Sequence, residues 1–258
     1  MRFGLCCEPE RIDEVAALGY DFLECNFTNL QSMPDADFES IVAKVRRASI
    51  DVEASNCLLP PSLKIVGPCV AIPALTSYLE KGFARAEQVG MRIVVFGSGG
   101  ARNIPVGFDA KHAWHQIFAF LRLASGIAAR YQIEIVIEPV RRKESNLLNY
   151  VSEATAVSSL LDLPNVRVLG DSFHMIIGHE PYAALAMAGD LLRHVHTSET
   201  LNDAQGRVMP TDVCKDELQA LISTLVTMGY SQRVSVEAPI QNLQEEGAKA
   251  LALLRACL

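Results

Sequence analysis

The sequence predicts an α/β fold, a single-domain (β/α)8 TIM barrel that takes up residues 1–258. Short runs of β-branched and apolar residues alternate eight times with segments of helical periodicity, at about 32 residues per repeat, an ordinary size for this architecture. Strict alternation of strands and helices implies a parallel sheet, and eight repeats imply that the sheet closes into a barrel. No change in composition and no linker divides the chain, so one domain is expected.

The first half of the chain contains four of the predicted strands and four of the helices. The strands are predicted at residues 1–6, 21–27, 50–58 and 92–96. Apolar residues at helical spacing predict helices at residues 12–18, 34–48, 73–89 and 109–130. The proline-rich segment 59–67 interrupts this pattern and predicts a long loop.

The second half repeats the same alternation. Its strands are predicted at residues 133–138, 166–171, 194–197 and 233–237. Its helices are predicted at residues 152–163, 181–192, 215–228 and 244–257. A polar loop, residues 199–212, follows the seventh strand.

Composition narrows the class of protein. A net charge of −7 is unfavourable for a nucleic-acid surface, which needs a clustered basic face. Seven cysteines without a CxxC pair predict free thiols. The chain enters its first strand without a signal peptide and has no apolar run of membrane length. We expect a cytoplasmic protein that binds neither nucleic acid nor membrane; a homo-oligomer is left open.

Four side chains of metal-ligand type stand at the ends of four consecutive predicted strands. They are Glu138, Asp171, His196 and Glu237. The carboxyl ends of the strands form the catalytic face of a TIM barrel. Three carboxylates gathered there repel one another, and a bound cation removes that repulsion. Three oxygen ligands and one nitrogen favour Mn²⁺, with Mg²⁺, Co²⁺ or Zn²⁺ as alternatives.

Any one of these carboxylates is more simply explained by an ion pair with Arg141, Arg142 or Arg207. Four such residues at equivalent positions favour the metal. His194 lies two residues before His196 on the same strand face, which places it one layer deeper. Glu24 is expected either to line the pocket or to close the barrel rim, and Glu53 likewise.

Segments 137–146, 170–175, 194–199 and 235–237 resemble the sugar phosphate isomerase/epimerase superfamily, the xylose-isomerase-like TIM barrels. Within it, the sequence is most similar to ketose 3-epimerases of the D-tagatose/D-psicose type and to hydroxypyruvate isomerase. The resemblance implies that Glu138, Asp171, His196 and Glu237 bind one metal ion, and that Glu138 and Glu237 exchange protons with the substrate. It also implies that Glu144 and His174 bind substrate.

The sequence departs from the epimerases at one position. Those enzymes carry an arginine six residues after the histidine of strand seven, where Asn202 stands here. Arg207, five residues later in the same loop, is the candidate to replace it as a substrate-binding residue.

The function predicted from these residues is metal-dependent isomerisation or epimerisation of a sugar. One carboxylate removes a proton beside the carbonyl, and return of a proton to the enediolate gives the product. Three alternatives remain: a dehydratase of a keto-inositol, an endonuclease-IV-like nuclease and a sugar-binding barrel without activity. The small number of histidines, six, and the acidic charge weigh against the nuclease.

Overall fold

The computed structural model describes residues 1–201 and 206–258. Eight parallel strands close into one barrel in the order β1-β10-β7-β6-β5-β4-β3-β2. They are β1 (Arg2–Cys6), β2 (Phe22–Asn26), β3 (Val52–Asn56), β4 (Ile93–Phe96), β5 (Glu134–Ile137), β6 (Val166–Asp171), β7 (Leu192–Thr197) and β10 (Arg233–Val236). The predicted (β/α)8 barrel is therefore confirmed.

Helices surround the strands and cover their outer faces. They are α1 (Ile12–Ala17), α2 (Phe27–Ser32), α3 (Asp35–Val45), α4 (Ile72–Gln88), α5 (Gly99–Arg102), α6 (Ala110–Ala128), α7 (Val151–Leu161), α8 (Ser172–Ile177), α9 (Ala184–Ala188), α10 (Lys215–Thr227) and α11 (Ala248–Ala256). A π-helical turn, Leu243–Gly247, precedes α11. No helix in the described ranges is long and apolar enough to cross a membrane.

Several local predictions were wrong, each at a short element. The helix expected at residues 181–192 is only α9 followed by a 3-10 turn, Gly189–Leu191. The short helices α2, α5 and α8 were not predicted, because four to six residues are too few to show a helical period. The predicted polar loop contains a two-stranded antiparallel hairpin of β8 (Glu199–Thr200) and β9 (Arg207–Val208).

Apolar side chains fill both layers of the molecule. These side chains form two clusters. The large cluster lies between the strands and the helices. The small cluster consists of Phe22, Ala54, Ile93, Val95, Val136 and Leu169. Full burial of a valine, leucine, isoleucine or phenylalanine side chain stabilises the fold by about 1.5–3 kcal/mol. The ring of Phe22 packs so closely over Gly4 that a Cβ there would lie 2.2 Å from it.

The amino-terminal end of the barrel is closed by an ion-pair cluster. Glu53 of β3 contacts both Arg2 of β1 and Arg233 of β10. Arg2 and Arg233 are paired in the sheet register, so one carboxylate neutralises two neighbouring cations. Of the two places expected for Glu53, the structure shows the barrel rim, at the end away from the candidate site.

Candidate metal centre

The four predicted ligand residues meet at the carboxyl ends of four adjacent strands. Asp171 ends β6 and His196 lies near the end of β7, while Glu138 and Glu237 directly follow β5 and β10. One ligand atom from each residue lies within 4.8 Å of the other three. The order of the strands thus brings together residues that are far apart in the sequence. The first and last of the four, Glu138 and Glu237, are 99 positions apart.

One carboxylate oxygen of Asp171 caps a helix, and the other faces the candidate site. Its Oδ1 accepts hydrogen bonds from the backbone N–H groups of Phe173 and His174, at 2.8 and 3.4 Å, and so caps helix α8. Its Oδ2 faces the other ligand residues and lies 3.9 Å from His196 Nδ1. Burial raises the pKa of Asp171, but Arg207, His174 and His196 together hold that pKa well below its usual value.

Glu237 is also contacted at both of its carboxylate oxygens, one of them by a residue from the opposite half of the barrel. Asn56, at the end of β3, donates from Nδ2 to Glu237 Oε1 at 2.8 Å. The second oxygen, Oε2, lies 3.2 Å from His196 Nδ1. Burial raises the pKa of Glu237, but His196 and Arg207 lower it more, to about 2.

Glu138 occupies space that a neighbouring glycine leaves open. Gly97 lies just after β4, and a Cβ added to it would be only 2.0 Å from Glu138 Oε2. Oε1 of Glu138 is 3.3 Å from His196 Nδ1. Burial raises the pKa of Glu138 to about 7, and the negative charge of Glu237 acts in the same direction while His196 opposes it.

His196 is fully buried between the ligand cluster and Glu24 of β2. Its Nδ1 faces the carboxylates, and its Nε2 lies 2.9 Å from Glu24 Oε1. Burial lowers the pKa of His196, but the charges of Glu24 and Glu237 hold it well above its usual value. His194 lies deeper, as its spacing predicted, and its Nε2 is 2.7 Å from Glu24 Oε2.

Arg207, on strand β9 of the hairpin, reaches the centre of the site. Its Nη1 donates to Asp171 Oδ2 at 2.9 Å and also to Glu237 Oε2. Its guanidinium carbon lies 4.4 Å from the centre of the Phe173 ring. Asn202, the position of the departure, lies outside the described residues. The structure therefore places the candidate arginine at the barrel mouth, bonded to two of the four ligand residues.

His174 is buried in α8 and lines the cavity over the site. Its Nδ1 accepts from the backbone N–H of Arg141 at 3.2 Å, so the ring proton belongs on Nε2, which faces Arg207 Nη2 at 3.2 Å. Two N–H donors at this distance repel each other, and the oxygen of a bound ligand can accept from both. Glu144 also lines the cavity, where its carboxylate pairs with Arg141 at 2.7 Å.

A cavity of about 870 Å³ opens above these residues. Its wall includes Glu138, Glu237, His174, Arg207 and Glu144 from the second half of the chain. Cys6, Glu24, Asn56, Cys57 and Ser98 are among the lining residues from the first half. The space is sufficient for a small polar molecule to reach the ligand cluster.

The geometry of the cluster fits a divalent cation. Oxygen and nitrogen donors at about 2.1 Å from one ion lie about 3.0–3.4 Å from their neighbours. The distances of 3.3 and 3.2 Å from His196 Nδ1 to Glu138 Oε1 and Glu237 Oε2 are in that range, and the 3.9 Å to Asp171 Oδ2 is slightly longer. Three carboxylates and one imidazole suit Mn²⁺, Mg²⁺, Co²⁺ or Zn²⁺.

Sequence reasoning missed the functions of Asn56 and Gly97. Asn56 ends its strand as the ligand residues end theirs, and this position was the available signal. Gly97 begins a glycine-rich run that was interpreted as a tight turn, and Ser98 in this run does adopt a left-handed conformation, with φ of 36°. The need for an empty space beside Glu138 depends on a contact between different strands, which the run itself does not show.

Comparison with curated proteins finds sugar epimerases. The chain is 25% identical over 205 residues to the D-psicose 3-epimerase of Agrobacterium fabrum, covering 76% of this chain and 69% of that protein. It is 32% identical over 142 residues to the 3-dehydro-D-guloside 4-epimerase of Escherichia coli, covering 53% of this chain and 51% of that protein.

Comparison with solved structures gives the same fold. The D-psicose 3-epimerase of Clostridium cellulolyticum H10, solved with D-tagatose, aligns over 100% of this chain and 99% of its own, with a TM-score of 0.84 and 20% sequence identity. Residues 12–257 match the family model described as xylose isomerase-like TIM barrel. Since the match spans nearly the whole chain, the protein belongs to the xylose isomerase-like TIM barrel family.

Proposed function

We propose that this protein is a divalent-metal-dependent epimerase or isomerase of a sugar or a sugar-like ketose. The observation that carries the proposal is the convergence of Glu138, Asp171, His196 and Glu237 within 4.8 Å at the base of an open cavity. The sugar epimerases among the relatives support the same reaction class.

A cation held by these four residues would polarise the substrate carbonyl and acidify the neighbouring C–H. The chain's own groups then move the proton. One of Glu138 and Glu237 takes the proton from the carbon beside the carbonyl, which leaves an enediolate. If the other carboxylate returns a proton on the opposite face, the product is the epimer. If the proton returns to the neighbouring carbon, the product is the isomer.

The remaining groups of the cavity bind and orient the substrate. His174 presents Nε2–H and Arg207 presents guanidinium N–H groups, and both can donate to oxygens of the sugar. Glu144 lies at the more exposed side of the cavity, where its carboxylate can accept from a hydroxyl group. These directional contacts would hold the reacting carbon beside the two glutamates.

A metal-free sugar-binding barrel is the second candidate, and one observation favours it. Arg207 forms ion pairs with two of the four ligand residues, Asp171 and Glu237, and so supplies a positive charge where a cation would bind. Such a protein would bind a sugar through the same cavity and would exchange no proton with it.

Solvent exchange separates the two candidates. Purified protein is incubated with a panel of ketoses, aldoses and their phosphates in deuterated water, with Mn²⁺ or with a chelator. We expect one compound to gain deuterium beside its carbonyl only when Mn²⁺ is present. The control is Asp171→Asn, which keeps a good helix cap but removes a charged ligand, and should lose metal and exchange together. Sugar binding without exchange under every condition would favour the metal-free barrel.

A further inference from the structure

Glu24 is a buried carboxylate on the side of His196 that faces away from the ligand cluster. It belongs to β2, and its side chain is completely inaccessible to solvent. Its Oε2 lies 2.7 Å from His194 Nε2, and its Oε1 lies 2.9 Å from His196 Nε2. Within residues 1–201 and 206–258, these two imidazoles are its only ion-pair partners.

A carboxylate without a proton can only accept hydrogen bonds. Each ring nitrogen that faces Glu24 must therefore carry a proton, since two acceptors at 2.7 or 2.9 Å would repel each other. For His196, a proton held on Nε2 makes Nδ1, which faces Glu138 and Glu237, the nitrogen whose lone pair can bind a metal ion. The orientation of the ring and the choice of tautomer thus follow from one contact.

His194 holds the second oxygen of Glu24 in place. Its other nitrogen, Nδ1, is buried and has no hydrogen-bond partner in the described part of the chain. A proton on Nδ1 would leave a buried donor unsatisfied, which costs about 1–3 kcal/mol. Nε2–H is therefore the favoured tautomer of His194 as well, and each oxygen of Glu24 accepts a hydrogen bond from one imidazole.

We propose that Glu24 is a positioning residue that prepares His196 to bind the metal, and that His194 keeps Glu24 in the required orientation. This inference rests on the proposed metal-dependent function. An imidazole ligand that donates its second N–H to a carboxylate keeps its tautomer and becomes a stronger donor to the metal, and losing such a partner typically weakens metal binding by about 10–100-fold.

The test compares Glu24→Gln with a matched variant, Glu53→Gln. Both replace a buried strand glutamate by an amide of the same shape, but Glu53 lies at the opposite end of the barrel and pairs with Arg2 and Arg233. A glutamine at position 24 offers one acceptor and one donor, so at most one of the two histidines keeps its hydrogen bond to an oxygen.

Calorimetric titration with Mn²⁺ gives the first readout. We expect Glu24→Gln to weaken Mn²⁺ binding by about 10–100-fold, and Glu53→Gln to bind Mn²⁺ as the wild type does, even if both variants lose thermal stability. Equal Mn²⁺ affinities in the wild type and in Glu24→Gln would overturn the proposal.

Proton NMR of nitrogen-15-labelled, metal-free protein gives a readout that needs no metal. We expect two strongly downfield imidazole Nε2–H protons in the wild type and in Glu53→Gln, and at most one in Glu24→Gln. If the wild type bound no metal, the proposed function would fail, and this spectrum would still decide whether Glu24 sets the tautomers. Two unchanged resonances in Glu24→Gln would refute that role.

Discussion

The two halves of the barrel contribute differently to the candidate site. Strands β5, β6, β7 and β10 end in the residues whose ligand atoms converge, Glu138, Asp171, His196 and Glu237. The opposite strands provide the contacts that hold three of them: Glu24 bonds His196, Asn56 bonds Glu237, and Gly97 leaves room for Glu138. One half supplies the four ligand groups, and the other supports three of them, while Asp171 is held by the backbone of α8.

The largest effect should come from the reactive half, in Glu138→Gln and in Glu237→Gln. Each change keeps the shape of the side chain and removes the base, so deuterium exchange into the substrate should fall on the order of 10²–10⁴-fold. Mass spectrometry of the sugar recovered from deuterated water measures the loss. Glu144→Gln, a cavity residue outside the ligand cluster, is the control and should exchange far faster than either variant. If one of the two variants exchanged at the wild-type rate, that glutamate would have no part in proton transfer.

The two halves also differ in how much of them could be predicted from sequence. Glu138, Asp171, His196 and Glu237 each follow a β-branched run, so residue type and strand position together indicated their convergence. Glu24 has the same chemistry, but its partner His196 is 172 positions away, and only the closed barrel brings them together. Glycine and asparagine are ordinary residue types at a turn or a strand end, and the contacts of Gly97 and Asn56 arise from packing between strands.

Gly97→Ala tests the supporting half with an intermediate effect. A Cβ at this position would lie 2.0 Å from Glu138 Oε2, so the carboxylate must move. A displacement of about 1 Å at a reacting group costs about 10²-fold in rate, and kcat for the substrate found by the exchange screen measures it. Gly126→Ala in α6 is the control, because a Cβ there meets no atom within 4 Å. Equal kcat values in the two variants would show that Glu138 needs no space beside Gly97.

Arg207 belongs to neither set of strands, and its removal should have the smallest effect on catalysis. Its guanidinium occupies Asp171 Oδ2 and Glu237 Oε2, two of the oxygens that face His196 Nδ1. A cation that binds these oxygens must compete with the guanidinium. In Arg207→Met the apolar stem can still pack on Phe173, but the competing charge is absent.

Three measurements follow for Arg207→Met. Mn²⁺ should bind several-fold more tightly, because no guanidinium has to leave the two oxygens. The Tm of the metal-free variant should fall by about 5 °C, since Asp171 and Glu237 lose their counter-charge in a mostly buried site. KM should rise, because a donor to the substrate is lost. The control is Arg142→Met, an exposed arginine from the loop after β5 that stacks near Tyr150. If the two variants matched in Mn²⁺ affinity, Tm and KM, Arg207 would neither compete with the metal nor bind the substrate.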